Sequence, residues 1–137
     1  KNEAQGVKVV TGVSDSDLKK VDDGSTLDLG NLQIRFLHTP GHTPGSQCFL
    51  IGNRLVAGDT LFVQGCGRVD LPGGDADQMY YTLTQKLAKL PAETVLFPGH
   101  DYGPTETSTI GSELQSNVYL RVRSLEDWRR LMGAPAP

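Results

Sequence analysis

Three residues of this 137-residue chain have the side chains and the positions that metal-dependent chemistry requires. His42, Asp59 and His100 each follow a glycine close to the predicted end of a β-strand. Imidazole and carboxylate groups are ligands for Zn²⁺ or Fe²⁺, and neighbouring glycines let loops bend until distant side chains meet. The residue types therefore predict a metal site, whereas the alternative is a set of surface or hydrogen-bonded polar groups in turns.

Four further residues lie near these positions in the sequence. Arg68 and Tyr102 can be interpreted either as substrate-binding or as structural, whereas His38 and Cys66 are expected to be structural. His38 extends a predicted strand that ends before Pro40, so we expect it to be packed or hydrogen-bonded. Arg68 either contacts the carboxylate of an anionic substrate in a bidentate manner or ties down its glycine-rich loop. Tyr102 either packs beside the loop of His100 or hydrogen-bonds a substrate or ligand. Cys66 has no evident base nearby in the sequence, which favours a spectator thiol over a nucleophile.

Four motifs occur in a fixed order along the chain: "TPGHTPGS", "GDTLF", "GCGR" and "FPGHDYG". From about Thr26 to about Leu120 the sequence resembles the metallo-β-lactamase superfamily, in the branch of the glyoxalase II type hydrolases and the persulfide dioxygenases. The resemblance implies an α/β fold, the αββα sandwich in which mixed sheets are covered by outer helices. It also implies that His42 binds one metal, that Asp59 bridges two metals, and that His100 binds the second.

The sequence departs from this family pattern in its first half. The family carries an HxHxDH motif there, and the histidines of this chain are His38, His42 and His100 alone. Residues 1–137 are therefore predicted to be a partial domain, the C-terminal half of the sandwich, in which each metal keeps two protein ligands. The apolar sheet surface that a missing half would leave predicts self-association. Residues 133–137 are predicted to form a flexible tail.

The resemblance implies an enzyme in the intact parent. The first hypothesis is a dinuclear zinc hydrolase in which activated water cleaves a thioester such as an S-acylglutathione, with Asp59 as catalytic residue and metal ligand, and with Arg68 and Tyr102 binding a glutathione-like substrate. The alternative is a persulfide dioxygenase, in which one iron is held by His42, Asp59 and a histidine from the missing half, and His100 is no longer a ligand. A third hypothesis is a catalytically inactive fragment or interaction module.

The elements that must position these residues are predicted from hydrophobic periodicity and turn residues. Two β-hairpins are expected, over 26–38 with a Gly30-Asn31 turn and over 46–59 with a Gly52-Asn53 turn. The second hairpin brings Asp59 to a strand terminus. A glycine-rich, shaped loop follows over 61–75.

The remaining elements are mainly helical. Asp75 predicts the N-cap of an amphipathic helix that ends before Pro91, and a buried strand over 94–98 then leads to His100. Two more helices are expected over 108–117 and 124–133. In the last of these, Ser124 and Asp127 are predicted to form a capping box. Trp128, Leu125, Leu131 and Met132 are predicted to be core. A short strand is also predicted at Val7–Val10.

Composition excludes several classes of function. Thirteen Lys and Arg residues against sixteen Asp and Glu residues leave a formal net charge of −3, so nucleic acid is not an expected partner. No apolar run approaches the roughly 20 residues that cross a bilayer, so no membrane association is expected. The two cysteines form neither a CxxC motif nor a disulfide-dense pattern, which favours a reducing compartment, the cytoplasm.

Overall fold

The protein forms a mixed sheet with helices packed on one face, in a computed structural model that describes residues 14, 16 and 19–133. The predicted strand at Val7–Val10 and residues 134–137 of the predicted tail lie outside the described residues. The strands are β1 (Thr26–Leu29), β2 (Leu32–His38), β3 (Gln47–Ile51), β4 (Arg54–Gly58), β5 (Leu61–Phe62), β6 (Gly65–Cys66), β7 (Val95–Pro98) and β8 (Ser108–Thr109). The α-helices are α1 (Ala76–Tyr81), α2 (Ile110–Ser116), α3 (Val118–Arg121) and α4 (Leu125–Met132).

The main sheet has the strand order β1-β2-β3-β4-β7-β8, and both predicted hairpins are confirmed within it. All neighbouring pairs are antiparallel except β4 and β7, which run parallel. The register of this parallel pair places Gly58 opposite Pro98. The carboxyl ends of two central strands therefore meet at one edge, where loops commonly build ligand sites in α/β sheets.

The connection from β4 to β7 contains the predicted amphipathic helix. Asp75 caps α1 as predicted, since its side chain accepts a hydrogen bond from the Gln78 N–H at 2.9 Å. Beyond α1 the chain is not regular α-helix: a π-helical turn over Thr82–Lys86 and a 3₁₀ turn over Leu87–Lys89 replace it. In the π-helical turn the Thr82 hydroxyl donates to the Pro40 carbonyl oxygen at 2.7 Å. The structure therefore differs from the predicted single helix, and the hydrogen bond of Thr82 connects this segment to the loop before His42.

The core lies between the helices and one face of the sheet. Trp128 on α4 is fully buried, and its Nε1–H donates to the Ala76 carbonyl oxygen at 2.7 Å. The predicted cap of α4 is also present, because the Ser124 hydroxyl accepts from the Asp127 N–H. The side chains buried with Trp128 include Leu37, Cys48, Leu55, Met79, Leu83, Leu87 and Leu96.

The opposite face of the sheet carries a second apolar row. Phe36, Phe49, Val56 and Phe97 follow one another across β2, β3, β4 and β7 in the strand register. Phe36 and Phe49 contact edge to face with ring centroids 5.4 Å apart, while Val56 and Phe97 are exposed. Self-association through this face, predicted from the sequence, stays a prediction. Among the described residues, no helix combines the length and the hydrophobicity that a bilayer crossing needs.

Trp128 is buried as predicted, whereas Leu131, also predicted to be core, has 42% of its surface exposed. Trp128→Ala and Leu131→Ala are therefore a matched pair on α4. We expect Trp128→Ala to lower the free energy of unfolding by ~3–5 kcal/mol, because it removes a packed ring together with its hydrogen bond to the Ala76 carbonyl. Leu131→Ala is expected to change it by less than ~0.5 kcal/mol. Urea denaturation measures both. Equal losses would mean that α4 does not dock through Trp128.

Candidate metal centre

The three predicted metal ligands converge at the carboxyl ends of β4 and β7. The Nε2 atom of His42 lies 3.8 Å from Oδ2 of Asp59, and Nδ1 of His100 lies 2.6 Å from Oδ1 of the same carboxylate. Asp59 directly follows β4, and His100 is two residues beyond β7. The structure therefore brings together side chains that are up to 58 positions apart in the chain, around one central carboxylate.

The loop that carries His42 is docked on α1 through a glycine. Gly41 has a φ of +142°, and a Cβ atom there would lie 2.6 Å from the Met79 Cα, so the loop approaches the helix more closely than any side chain permits. The Gly41 carbonyl oxygen accepts from the Asp75 N–H at 2.8 Å. Together with the hydrogen bond from Thr82 to Pro40, this contact fixes the backbone on which His42 stands.

Hydrogen bonds set the tautomer and the orientation of both imidazoles. Nδ1 of His42 lies 2.8 Å from the Arg68 carbonyl oxygen, which can only accept, so Nδ1 carries the hydrogen. Nδ1 of His100 likewise donates to the Asp59 carboxylate. In the neutral form of each ring, Nε2 therefore keeps its lone pair. Such hydrogen bonds are the usual supports of metal-ligating histidines.

Asp59 is enclosed by backbone from two sides. The Gly99 N–H donates to the Gly58 carbonyl oxygen at 2.7 Å, which continues the β4–β7 pairing up to His100. On the other side a Cβ at Gly67 would lie 1.8 Å from the Asp59 carbonyl oxygen, so this close packing requires glycine. Gly58, Gly67 and Gly99, from the "GDT", "GCGR" and "PGH" motifs, thus pack closely around the backbone of Asp59.

The donor chemistry fits zinc or iron, and the geometry separates the two histidines. Two metal–ligand bonds of about 2.0–2.2 Å can span the 3.8 Å between His42 and Asp59. The 2.6 Å contact of His100 is instead a direct hydrogen bond to the carboxylate. Within residues 14, 16 and 19–133, no group of three or more His, Cys, Asp and Glu side chains is arranged to hold an ion. His42, Asp59 and His100 as metal ligands stay a prediction.

A cleft of about 450 Å³ opens beside these residues, and aromatic rings form one of its walls. Tyr102 stacks on His100 with ring centroids 4.8 Å apart and an interplanar angle of 2°. Phe62 contacts both rings edge-on, at 5.2 Å from Tyr102 and 5.9 Å from His100. Tyr102 is nevertheless 71% exposed. It therefore packs on His100, as one reading held, and still presents a surface to the cleft.

Arg68 lies at the cleft with its guanidinium already paired. Its Nε and Nη2 atoms donate to the two carboxylate oxygens of Asp70 at 2.7 and 2.9 Å. This hydrogen bonding holds the pKa of Asp70 at about 2, well below its usual range. Arg68 thus pairs with Asp70 of its own loop, and the backbone of the same residue lies against His42. A substrate-binding role for Arg68 and Tyr102 stays a prediction.

Two buried polar residues that the sequence reasoning did not single out support the cleft from behind. Glu113 and Asn117 of the α2 segment hydrogen-bond to the turn between β5 and β6, whose strands line the cleft. Their four-residue spacing places both on one helix face, and a charged residue on the apolar side of a helical pattern was the signal available in the sequence.

Comparison with known proteins adds the family. The sequence profile of the metallo-beta-lactamase superfamily matches residues 6–100. Over 106 residues the chain is 34% identical to the probable polyketide biosynthesis zinc-dependent hydrolase BaeB of Bacillus velezensis. This match covers 77% of this chain and 47% of that protein. Over 115 residues the chain is 33% identical to the mitochondrial persulfide dioxygenase ETHE1 of Homo sapiens. This match covers 82% of this chain and 45% of that protein.

A solved structure extends the likeness to three dimensions. The crystal structure of ETHE1 from Myxococcus xanthus matches with a TM-score of 0.80 at 38% sequence identity, over 91% of this chain and 55% of that chain. The chain spans about half the length of the curated relatives it matches.

Cys66 lines the cleft but is expected to be unreactive near neutral pH. Burial raises the pKa of its thiol to about 12, so at pH 8 only about one molecule in 10⁴ carries the thiolate, against roughly a quarter for an ordinary cysteine. We expect iodoacetamide to modify native Cys66 on the order of a thousandfold more slowly than the unfolded chain, with the rate rising about tenfold per pH unit. Peptide mass mapping separates Cys66 from Cys48. Native alkylation at the unfolded rate would contradict the raised pKa of the Cys66 thiol.

Proposed function

Because the chain belongs to the metallo-beta-lactamase superfamily, we propose that it carries part of the catalytic centre of a metal-dependent hydrolase that cleaves a thioester such as an S-acylglutathione. Membership confirms the family indicated by the four motifs, and the mixed sheet with flanking helices is the α/β fold expected of it. The observation that carries the proposal is that the Nε2 atom of His42 lies 3.8 Å from the Asp59 carboxylate, with both residues lining a cleft.

Each residue of the site has a part in this reaction. In this hydrolase His42 and Asp59 would hold one metal, and Asp59 and His100 a second, zinc by likeness to the zinc-dependent hydrolase or else iron. Such an ion, when bound, would lower the pKa of a water molecule to about 7 and would polarise the carbonyl group of the substrate. The Arg68 carbonyl fixes the ring of His42, and the His100 ring fixes one oxygen of Asp59. The His42 ring and the Asp59 carboxylate are therefore each oriented before any substrate enters.

The cleft suits a thiol-derived substrate with an anionic tail. Phe62 and Tyr102 offer apolar ring surface for the acyl or thiol part, and Arg68 at the cleft can exchange Asp70 for a substrate carboxylate with little change in its charge environment. The exposed Arg68–Asp70 pair is weak enough for such an exchange. A glutathione-like molecule in the cytoplasm combines these features, and we propose it as the substrate class.

The hydrogen bond of His100 favours a second candidate function. In a dinuclear hydrolase His100 and Asp59 share the second metal, whereas here Nδ1 of His100 bonds directly to the carboxylate at 2.6 Å. That contact suits a mononuclear iron centre in which His100 only orients Asp59, as expected for a persulfide dioxygenase. The 33% identity to the human persulfide dioxygenase supports this alternative. The hydrolase remains our first proposal, with the superfamily match and the zinc-dependent relative behind it.

His100→Ala separates the two functions in the full-length natural gene product. For the hydrolase we expect loss of most S-acylglutathione cleavage and of about one metal ion per chain, because a ligand of the second metal is removed. For the dioxygenase we expect the single iron to remain. The measurements are thioester cleavage, O₂ uptake with glutathione persulfide, and metal content of each preparation.

Asp59→Asn is the matched control for His100→Ala, and it is expected to be severe under either function because Asp59 is common to both. O₂ uptake with one iron per chain, retained after His100→Ala, would refute the hydrolase. Full activity of Asp59→Asn in both assays would refute both functions.

Arg68→Ala tests substrate recognition. We expect KM for an S-acylglutathione to rise on the order of tenfold with kcat little changed, because a charge-assisted contact to the substrate carboxylate is lost. A neutral thioester without carboxylates is the matched substrate and should show no such rise. Asp70→Ala, which frees the guanidinium, is expected to lower KM for the anionic substrate. Equal effects of Arg68→Ala on both substrates would assign Arg68 to the loop alone.

A further inference from the structure

The turn between β5 and β6 is held in an unfavourable backbone conformation by a buried carboxylate. Gln64 at this turn has a φ of +60°, and among the residues that the structure describes it is the one non-glycine residue with a positive φ. A side chain makes the left-handed region costly, so such a residue persists only where surrounding contacts impose it. The Gln64 N–H donates to Oε1 of Glu113 at 2.6 Å, which is the contact that imposes it.

Glu113 is fully engaged in this task. It is 1% exposed, and a buried carboxylate is stable only when hydrogen bonds satisfy its oxygens. Besides the Gln64 N–H, Oε1 accepts from Nδ2 of Asn117 at 3.0 Å, and Oε2 accepts from the Ser108 hydroxyl at 2.7 Å. Nδ2 of Asn117 also donates to the Gly65 carbonyl oxygen at 3.1 Å. The buried pair thus clamps the turn at two consecutive residues.

The clamped hairpin reaches the reactive side of the cleft through one aromatic ring. Phe62, on β5, lies edge-on against His100 at 5.9 Å and against Tyr102 at 5.2 Å. His100 in turn hydrogen-bonds to Asp59. A continuous series of contacts therefore runs from Glu113 through the turn and Phe62 to the imidazole that orients the central carboxylate.

We propose that Glu113 is a positioning residue: by holding Gln64 in the left-handed conformation it fixes the β5–β6 wall of the cleft and, through Phe62, the ring of His100. Its effect on catalysis rests on the proposed function, whereas its effect on the turn does not. The same role predicts that a substitution at residue 64 affects activity according to how well the new residue tolerates a positive φ, and not through the chemistry of its exposed side chain.

A double-mutant cycle in the full-length natural gene product tests this role. Glu113→Leu removes the acceptor, and we expect kcat/KM for S-acylglutathione to fall on the order of ten- to a hundredfold, since small misplacements of site groups cost that much. Glu113→Gln keeps one acceptor oxygen and is expected to retain most of the activity. In a Gln64→Gly background, where positive φ is no longer costly, the loss caused by Glu113→Leu should shrink to roughly threefold or less.

Gln64→Val and Gln64→Asn form a second pair that leaves the buried cluster intact, in case Glu113→Leu does not fold. Valine is disfavoured in the left-handed region and asparagine tolerates it, so we expect Gln64→Val to lower kcat/KM and Gln64→Asn to keep it. An equally large loss for Glu113→Leu with and without Gln64→Gly, or equal activity of the Val and Asn variants, would overturn the proposal.

Amide hydrogen exchange reads the clamp without a substrate. The Gln64 amide should exchange slowly in the wild type, and Gln64→Val should speed exchange over residues 61–67 by roughly tenfold or more, while Gln64→Asn should not. Unchanged exchange in the Val variant would overturn the positioning role even if the protein is an active hydrolase. Normal protection in a wild-type protein that cleaves no thioester would overturn the proposed function alone.

Discussion

The parallel pairing of β4 with β7 is the contact on which the site depends. The register that sets Gly58 opposite Pro98 extends through the hydrogen bond from the Gly99 N–H to the Gly58 carbonyl, so Asp59 and His100 leave the sheet side by side. Their 2.6 Å hydrogen bond follows from that register. A shift of one residue would turn the side chains to opposite faces. The helical crossover between the strands is what makes parallel pairing possible.

Close backbone contacts complete the site from the other side. Gly41 lets the loop of His42 rest against α1, and Gly67 lets the "GCGR" loop rest against the Asp59 backbone, where in each case a Cβ would overlap existing atoms. The second loop also presents the Arg68 carbonyl that orients His42. Two loops that are remote in sequence thereby hold one imidazole, and the groups that support His42 are backbone groups rather than long side chains.

Buried polar side chains support the wall of the cleft, as the close backbone contacts support His42. Glu113 and Asn117 are buried, and the Glu113 carboxylate accepts only from the β5–β6 turn, Asn117 and Ser108 among the described residues. Asn117 donates to the same turn, and its Oδ1 also accepts from the Tyr119 N–H at the start of α3. Burial of a carboxylate is tolerated where every oxygen has a donor. The cleft wall therefore depends on α2, an element that contributes no predicted ligand, in the same way as the His42 loop depends on α1.

The sequence by itself determined the local features: both hairpins, the caps at Asp75 and Ser124, the buried Trp128, and the positions of His42, Asp59 and His100 near strand ends. These follow from side-chain periodicity and from groups a few residues apart. Only the tertiary structure decided which strand ends are neighbours, where the helix after Tyr81 changes to a π-helical turn, that the Arg68 carbonyl orients His42, and that Glu113 imposes the backbone of Gln64. The physical reason is distance along the chain: contacts such as that of Glu113 with Gln64, 49 residues apart, are set by the packing of the whole fold, and no local pattern encodes them.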